Sequence, residues 1–221
     1  MDDMEIEQLE KAEKMRNLQK RYESRVPRRY YSQSFDTFRT DTEERKMLLE
    51  TVKSFVQRVQ NGETRILVLI GEPGTGKSHI ACAAVREMLS FVKGYSYGFE
   101  LYANAFYTES AAIVERVRKA NSFDSVDTPS KVIGDIVNSS DLLVLDEIGR
   151  ARTADEPDVL FRVMNGIYNE QKSAIFAGNF KSKADFSAYV GSAFMDRLIE
   201  NGNIIELKSQ SFRKELRALS A

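Results

Sequence analysis

The chain has 221 residues, of which 42% are hydrophobic and 29% charged, a composition typical of a folded globular domain with room for a small extension. One cysteine and one histidine exclude an intrachain disulfide and a metal site built from Cys and His ligands. A net charge of −1 excludes attraction to nucleic acid through bulk charge, and an acidic N-terminus without a long apolar run predicts a cytoplasmic protein with no membrane partner.

Residues 3–25 are predicted to form a helix, because Glu, Lys, Arg, Gln and Leu dominate the segment and Gly and Pro are absent. Its apolar residues make one thin stripe, which suits either a partner-docking surface or a frayed, solvated helix. The stripe consists of Met4, Leu9, Ala12, Met15, Leu18 and Tyr22. We therefore predict a helical extension with its linker over residues 1–32, followed by one domain over residues 33–221.

Helical and strand patterns alternate along that domain. The predicted helices are 42–60, 77–91, 109–120, 130–138, 156–172 and one or two helices in 182–200. The predicted strands are 65–70, 99–103, 141–145, 173–177 and 203–207. Short apolar strands alternating with helices predict an α/β fold of three layers with a mostly parallel central sheet.

A phosphate-binding loop is predicted at residues 71–78, which read Gly-Glu-Pro-Gly-Thr-Gly-Lys-Ser and fit the pattern G-x-x-x-x-G-K-[ST]. A buried strand precedes the loop and a helix follows it, which argues against a chance glycine turn. Lys77 would reach the β- and γ-phosphates, and the Ser78 hydroxyl would ligate Mg²⁺. Packing at the helix start is the simpler role for His79 and Cys82. The predicted nucleotide-binding residues are Gly71, Glu72, Pro73, Gly74, Thr75, Gly76, Lys77, Ser78 and His79.

Two adjacent carboxylates, Asp146 and Glu147, follow four apolar residues at the end of a predicted buried strand. Ligands bind at the carboxyl ends of strands in open α/β sheets. Asp146 would hold the Mg²⁺ shell, and Glu147 would orient and activate the attacking water. The alternative is that the two acids only face solvent at the end of a strand, which would be the better interpretation of such a pair alone. The predicted phosphate-binding loop favours a nucleotide site instead. The second acid argues against a small-molecule kinase, which has to exclude water.

Asn179 ends the next predicted strand. Its amide could position the water beside the γ-phosphate, or it could cap the following helix, a common role for Asn. We favour the catalytic role, because the expected strand order would place Asn179 beside Asp146.

Three features together resemble the DnaC/IstB-like branch of AAA+ ATPases, over roughly residues 33–214. They are the segment 142–149, the pair Gly178-Asn179, and the segment 194–198 followed by Ser211-Phe212-Arg213. The resemblance implies a P-loop AAA+ fold without a C-terminal helical lid, with ATP and Mg²⁺ as cofactors and slow ATP hydrolysis. This branch includes bacterial and phage helicase loaders and the ATPase subunits of certain transposases.

The resemblance also implies roles for two arginines. Arg197 matches the arginine finger, which in this family acts on ATP held by a neighbouring subunit; a surface or capping arginine is the alternative. Arg213 matches the sensor-2 arginine, although the family usually carries that residue on a helical lid. Phe35 and Phe38 resemble the aromatic segment near the adenine, and ordinary core packing would explain them nearly as well.

In the helicase loaders that the chain resembles, DNA contacts come partly from the helix between the first two motifs. The corresponding candidate DNA-binding residues are Arg116, Arg118 and Lys119. The candidate base-stacking residues are Tyr102, Phe106 and Tyr107. A solvated charged helix face is the alternative for the three basic residues.

The resemblance implies a replicative DNA helicase, single-stranded DNA and further copies of the chain, in a spiral or ring, as partners. The chain would then load the helicase, with ATP bound and hydrolysed between subunits. The second hypothesis is a transposition ATPase that binds duplex DNA and recruits a transposase. The third is an adaptor that binds ATP and barely hydrolyses it.

Overall fold

The computed structural model describes residues 3–122, 125–150, 153–208 and 211–212. The helices are α1 Asp3–Glu23, α2 Glu43–Gln60, α3 Lys77–Ser90, α4 Ser110–Ala120, α5 Pro129–Asn138, α6 Glu156–Asn169, α7 Lys183–Val190 and α8 Ser192–Asn201. The strands are β1 Ile66–Gly71, β2 Val92–Ser96, β3 Phe99–Tyr102, β4 Ala105–Glu109, β5 Leu142–Ile148, β6 Ser173–Gly178 and β7 Gly202–Leu207. A short 3-10 helix, Arg28–Tyr30, lies between α1 and α2.

Five strands form a parallel central sheet in the order β4-β5-β6-β1-β7. The strands β1 and β6 are buried along their whole length, because helices cover both faces of the sheet. One apolar cluster, with α2 and α3, packs on one face, and a second cluster, with α4, α5, α6 and α8, packs on the other. The predicted three-layer fold with a mostly parallel sheet is confirmed, and no helical lid follows β7 within the described residues.

The predicted strand at 99–103 is confirmed, but it does not belong to the central sheet. Residues 99–102 form β3, which pairs antiparallel with β2 in a separate hairpin. The hairpin turns at Tyr97 and Gly98, whose φ angles are 49° and 83°. The strand beside β5 is β4, in a segment for which the sequence predicts no strand. Aromatic residues occur throughout 94–107, so hydrophobic periodicity could not separate the hairpin from the buried strand.

The two halves of α1 have different environments. Tyr22 and Val26 are buried in the core cluster that contains α3, and Leu18 packs against it. In the first half the apolar side chains are exposed, with Met4 at 66% and Leu9 at 53%. The end of the predicted extension is thus part of the core, while the domain boundary at residue 32 stays a prediction. No described helix is long and apolar enough to span a bilayer.

Candidate nucleotide-binding site

The loop between β1 and α3 has the backbone conformation that its glycines predict. Gly71, Gly74 and Gly76 have φ angles of 147°, 87° and 99°, in the region that side chains disfavour. A Cβ atom on Gly71 would lie 2.4 Å from the Leu207 carbonyl oxygen. A Cβ atom on Gly74 would lie 2.1 Å from Ser211 Oγ. The loop therefore needs glycine both for its dihedral angles and for close packing.

Lys77 begins α3 and folds back under the loop. Its ammonium donates hydrogen bonds to the carbonyl oxygens of Gly71 at 2.7 Å and Glu72 at 2.8 Å. Burial lowers the pKa of Lys77 to about 8, while the nearby Asp146 carboxylate favours the charged form. The ammonium is thus bound to the backbone of the loop and lies near Asp146. Phosphate oxygens could replace the two carbonyl partners.

The ends of three adjacent strands meet beside this loop. In the sheet register Gly178 of β6 lies opposite both Ile70 of β1 and Ile148 of β5. Asn179 follows directly, so the end of β6 brings it between the ends of β1 and β5. Its side chain does not cap α7, because Ser182 accepts the capping hydrogen bond from the Asp185 amide at 3.1 Å. The geometry removes the capping alternative for Asn179.

Asp146 is a buried carboxylate at the end of β5. It accepts a hydrogen bond from the Tyr107 hydroxyl at 2.8 Å and another from the Glu147 amide at 2.8 Å. Burial and the neighbouring Asp146 charge raise the pKa of Tyr107, which keeps this hydroxyl a donor. Carboxylate and hydroxyl oxygens are ligands that Mg²⁺ prefers, so the donor chemistry of Asp146 and Ser78 fits this ion.

Glu147 follows in the left-handed backbone region, with φ at 58°, where the β5–β6 register shifts. Its side chain is 18% exposed and pairs with Arg150 and with Arg29, whose Nη2 lies 3.4 Å from Oε1. The sequence pattern predicts only a linker around Arg29. Two arginines after a proline form no pattern from which a contact between Arg29 and Glu147 could be predicted.

His79 packs against the segment that precedes α2. Its Nε2 lies 3.2 Å from both the Ser34 carbonyl oxygen and Thr37 Oγ1, and its ring is 5.2 Å from that of Phe38. Burial lowers the pKa of His79. These contacts agree with the packing role, beside the loop, that the sequence favoured.

Phe38 and Phe212 enclose the α3 end of the loop. A Cβ atom on Gly76 would lie 2.9 Å from the Phe38 ring and 3.0 Å from the Phe212 ring. The Phe212 amide donates to the Gly74 carbonyl oxygen at 2.9 Å, and the Arg45 guanidinium lies 3.7 Å from the Phe212 ring centroid. The Ser-Phe pair of the predicted sensor-2 segment therefore lies against the loop. Arg213 itself lies outside the described residues.

Arg197 lies on α8, away from the loop. Its Nε donates to Asn165 Oδ1 at 2.9 Å, and its guanidinium is 4.9 Å from the Phe161 ring centroid. Both partners belong to α6. Among the described contacts none joins Arg197 to residues 71–78 of the same chain, so the structure does not bring this candidate to its own phosphate loop.

Two of the three DNA-binding candidates on α4 are engaged in ion pairs. Arg118 pairs with Asp155 at 2.6 Å, and Lys119 pairs with Glu115 at 2.7 Å. Arg116 is exposed and has no ion-pair partner in the described part of the chain. Phosphate contacts through Arg118 or Lys119 would therefore compete with a neighbouring carboxylate.

The base-stacking candidates are less accessible than expected. Tyr107 is buried and bonded to Asp146, so the expectation that it could stack on bases was wrong. Phe106 packs partly buried against the core, and the Tyr102 ring lies under the Arg21 guanidinium at 4.4 Å. The exposed aromatic residues lie instead on the β2–β3 hairpin, where Tyr97 is 99% exposed.

Comparison with known proteins finds one matching family model and relatives of two kinds, an insertion-sequence ATP-binding protein and a helicase loader. The family model described as "IstB-like ATP binding protein" matches residues 3–220. The chain is 25% identical over 166 residues to "Insertion sequence IS21 putative ATP-binding protein" of Pseudomonas aeruginosa, covering 72% of this chain and 55% of that protein. It is 23% identical over 166 residues to "Replicative helicase loader DnaC" of Escherichia coli K12, covering 75% and 62%. The matches thus span between about half and two thirds of these relatives.

Solved structures share the fold. A crystal structure of the DnaC helicase loader matches with a TM-score of 0.68 and 22% identity, covering 82% of this chain and 100% of that chain. A structure of the replication initiator DnaA bound to AMPPCP and single-stranded DNA matches with a TM-score of 0.57 and 20% identity, covering 88% and 56%. At these identities the likeness describes the architecture of the sheet and its helices.

Proposed function

The chain belongs to the IstB-like ATP-binding protein family, and from that premise we propose that it hydrolyses ATP to load a replicative hexameric DNA helicase onto single-stranded DNA. The family match confirms the resemblance to the DnaC/IstB-like branch of AAA+ proteins.

One observation supports the ATPase part of the proposal: the phosphate loop and the β5 acids flank Asn179 at one edge of the sheet. Lys77 would bind the β- and γ-phosphates, and Ser78 and Asp146 would hold Mg²⁺, which would neutralise phosphate charge. Glu147 would accept a proton from the attacking water, which bonds to the γ-phosphorus as the bond to the β–γ bridging oxygen breaks. The products are ADP and inorganic phosphate.

Two features support a loader that works between subunits. The exposed apolar residues of the first half of α1 form a surface on which a helicase could dock. Arg197 contacts α6 of its own chain, so it would complete the ATP site of a neighbouring subunit in a spiral or ring. A relative named as a replicative helicase loader adds to this support.

A transposition ATPase is the alternative, and the family description and the IS21 relative favour it. In that function the same ATP site would control binding to duplex DNA, and α1 would recruit a transposase. The two functions share the chemistry and differ in the DNA and in the partner.

Replacing Lys77 with Ala tests nucleotide binding. The variant should bind a fluorescent ATP analogue at least about tenfold more weakly, since the ammonium is the loop's charged phosphate ligand and a charged hydrogen bond contributes about 1.5–3 kcal/mol. Lys131→Ala, which removes an exposed lysine on α5, is the matched control and should bind like the wild type. Equal binding by all three proteins would contradict the proposed site.

Turnover with different DNA separates the two functions. Stimulation by single-stranded DNA, together with pull-down of a hexameric helicase, is expected of a loader. Stimulation by duplex DNA alone, with pull-down of a transposase, would support the alternative and reject the loader.

A further inference from the structure

The Glu147 carboxylate lies between two guanidinium groups. Arg29 Nη2 is 3.4 Å from Oε1, and Arg150 pairs with Oε2. Arg29 also pairs with Glu109 at 2.9 Å. Ionised carboxylate oxygens bind water and guanidinium donors through the same lone pairs. In this arrangement the two arginines compete with an attacking water for both oxygens of Glu147.

Tyr30, the residue after Arg29, is connected to Asp146 through Tyr107. The Tyr30 and Tyr107 rings are in contact, with centroids 5.7 Å apart. The Tyr107 hydroxyl donates to Asp146 at 2.8 Å. Adjacent residues of the 3-10 helix Arg28–Tyr30 are therefore connected to both carboxylates of the ATP site.

The same 3-10 helix is attached to α1. The Tyr22 hydroxyl at the end of α1 donates to the Tyr30 carbonyl oxygen at 2.9 Å. Arg86 of α3 lies 4.1 Å over the Tyr22 ring and donates to the Tyr31 carbonyl oxygen at 2.7 Å. Because these contacts tie the end of α1 to the linker, a displacement of α1 would move the backbone that carries Arg29.

We infer that Arg29 is a positioning residue that restrains Glu147 in a resting state, and that displacement of α1 by a bound partner releases Glu147 for hydrolysis. The inference rests on the proposed function, because it concerns regulation of the same ATP site. Arg29 acts through Glu147 and contacts no reacting atom. Its side chain is 51% exposed, and exposed ion pairs are weak. The restraint is therefore weak: it lowers basal ATP turnover a few-fold, and a bound partner can remove it.

Replacing Arg29 with Ala tests the restraint. Basal ATP turnover (kcat) should rise about two- to fivefold, the range expected for one exposed ion pair, while KM for ATP changes less than about twofold. Arg28→Ala removes the same charge from the preceding, exposed residue of the same 3-10 helix and should leave turnover unchanged. Unchanged or lower turnover in Arg29→Ala would overturn the inference.

A measurement without nucleotide tests the contact itself. Amide hydrogen exchange in residues 28–33 should be faster in Arg29→Ala than in the wild type, because the side-chain anchor of the 3-10 helix is lost. In a Glu109→Gln/Glu147→Gln background the same substitution should add a smaller increase, because only the contact of Arg29 with the Tyr30 ring is then lost. An equal increase in both backgrounds would overturn the inference.

The two tests separate failure of this inference from failure of the proposed function. A wild-type protein that does not bind the fluorescent ATP analogue would reject the ATPase. The exchange measurement, which needs no ATP, would then still decide whether the Glu109 and Glu147 carboxylates anchor Arg29.

Discussion

At the residue scale, Glu147 combines an unusual backbone with a functional carboxylate. Its φ of 58° lies in the left-handed region, which costs an ordinary residue about 1–2 kcal/mol. Gly149, with φ at 76°, follows within the same turn. The conformation lies where the β5–β6 register shifts, and the side chain of Glu147 pairs with Arg29 and Arg150. Strain at such a position is common in functional sites.

We predict that Glu147→Gln binds nucleotide like the wild type but loses about 10²–10⁴-fold in turnover. The amide has the size of the acid and cannot accept the proton from water, and general base catalysis contributes about this factor. Steady-state turnover and binding of the fluorescent ATP analogue would be measured together. Glu50→Gln makes the same substitution at an exposed glutamate on α2 and is the matched control. It should behave as wild type in both assays. Full turnover in Glu147→Gln would remove this residue from the mechanism.

At the element scale, the close approach of β1 and β7 positions the phosphate loop. Gly71 pairs with Leu207 in the register of the two strands, and there is no space for a Cβ atom between them. The last residue of β1 therefore determines where the loop leaves the sheet. Gly62 provides a comparison, because it has a φ of 85° but no atom within 4 Å of an added Cβ.

We predict that Gly71→Ala lowers the free energy of unfolding by about 3 kcal/mol or more, since backbone strain and a clash with backbone atoms combine. Gly62→Ala should lower it by only about 1 kcal/mol, through backbone strain alone. Denaturant unfolding of the three proteins gives both values. Similar losses in the two variants would show that packing against Leu207 is unimportant.

At the scale of the whole molecule, the candidate groups for hydrolysis divide between two places. Lys77, Asp146, Glu147 and Asn179 belong to one edge of the sheet, whereas Arg197 is bound to α6 through Asn165 and Phe161. A guanidinium that stabilises phosphate charge has to contact the phosphate. We therefore expect a complete site only when the α8 surface of one copy meets the phosphate loop of the next.

We predict that Arg197→Ala binds nucleotide normally but hydrolyses it at least about 10³-fold more slowly, as expected for loss of an arginine finger. Mixing it with Glu147→Gln protein should restore part of the turnover, because Glu147→Gln subunits supply Arg197 to neighbours that keep Glu147. The control mixes wild-type protein with Arg197→Ala. A mixture of the two inactive variants without any turnover would contradict catalysis between subunits.

Local sequence patterns determined the inner strands of the sheet and the candidate nucleotide site. The apolar runs of β1, β5 and β6, the glycine loop and the acids at 146–147 are contiguous patterns, so strand, turn and helix start could be predicted without knowing any partner. The expected strand order placed Asn179 beside Asp146, and the role of Asn179 in hydrolysis stays a prediction. Family resemblance supplied what local patterns lack, namely the candidate role of Arg197.

Only the tertiary structure decided the contacts between distant segments. Arg29 and Glu147 are 118 positions apart, and nothing in the linker sequence encodes that Arg29 reaches the acid of β5. The burial of Tyr22, the assignment of β4 rather than β3 to the sheet, and the docking of Phe212 on the loop have the same origin. Each depends on which surfaces remain to be covered once the sheet has formed, and that is a property of packing in three dimensions rather than of any local run of residues.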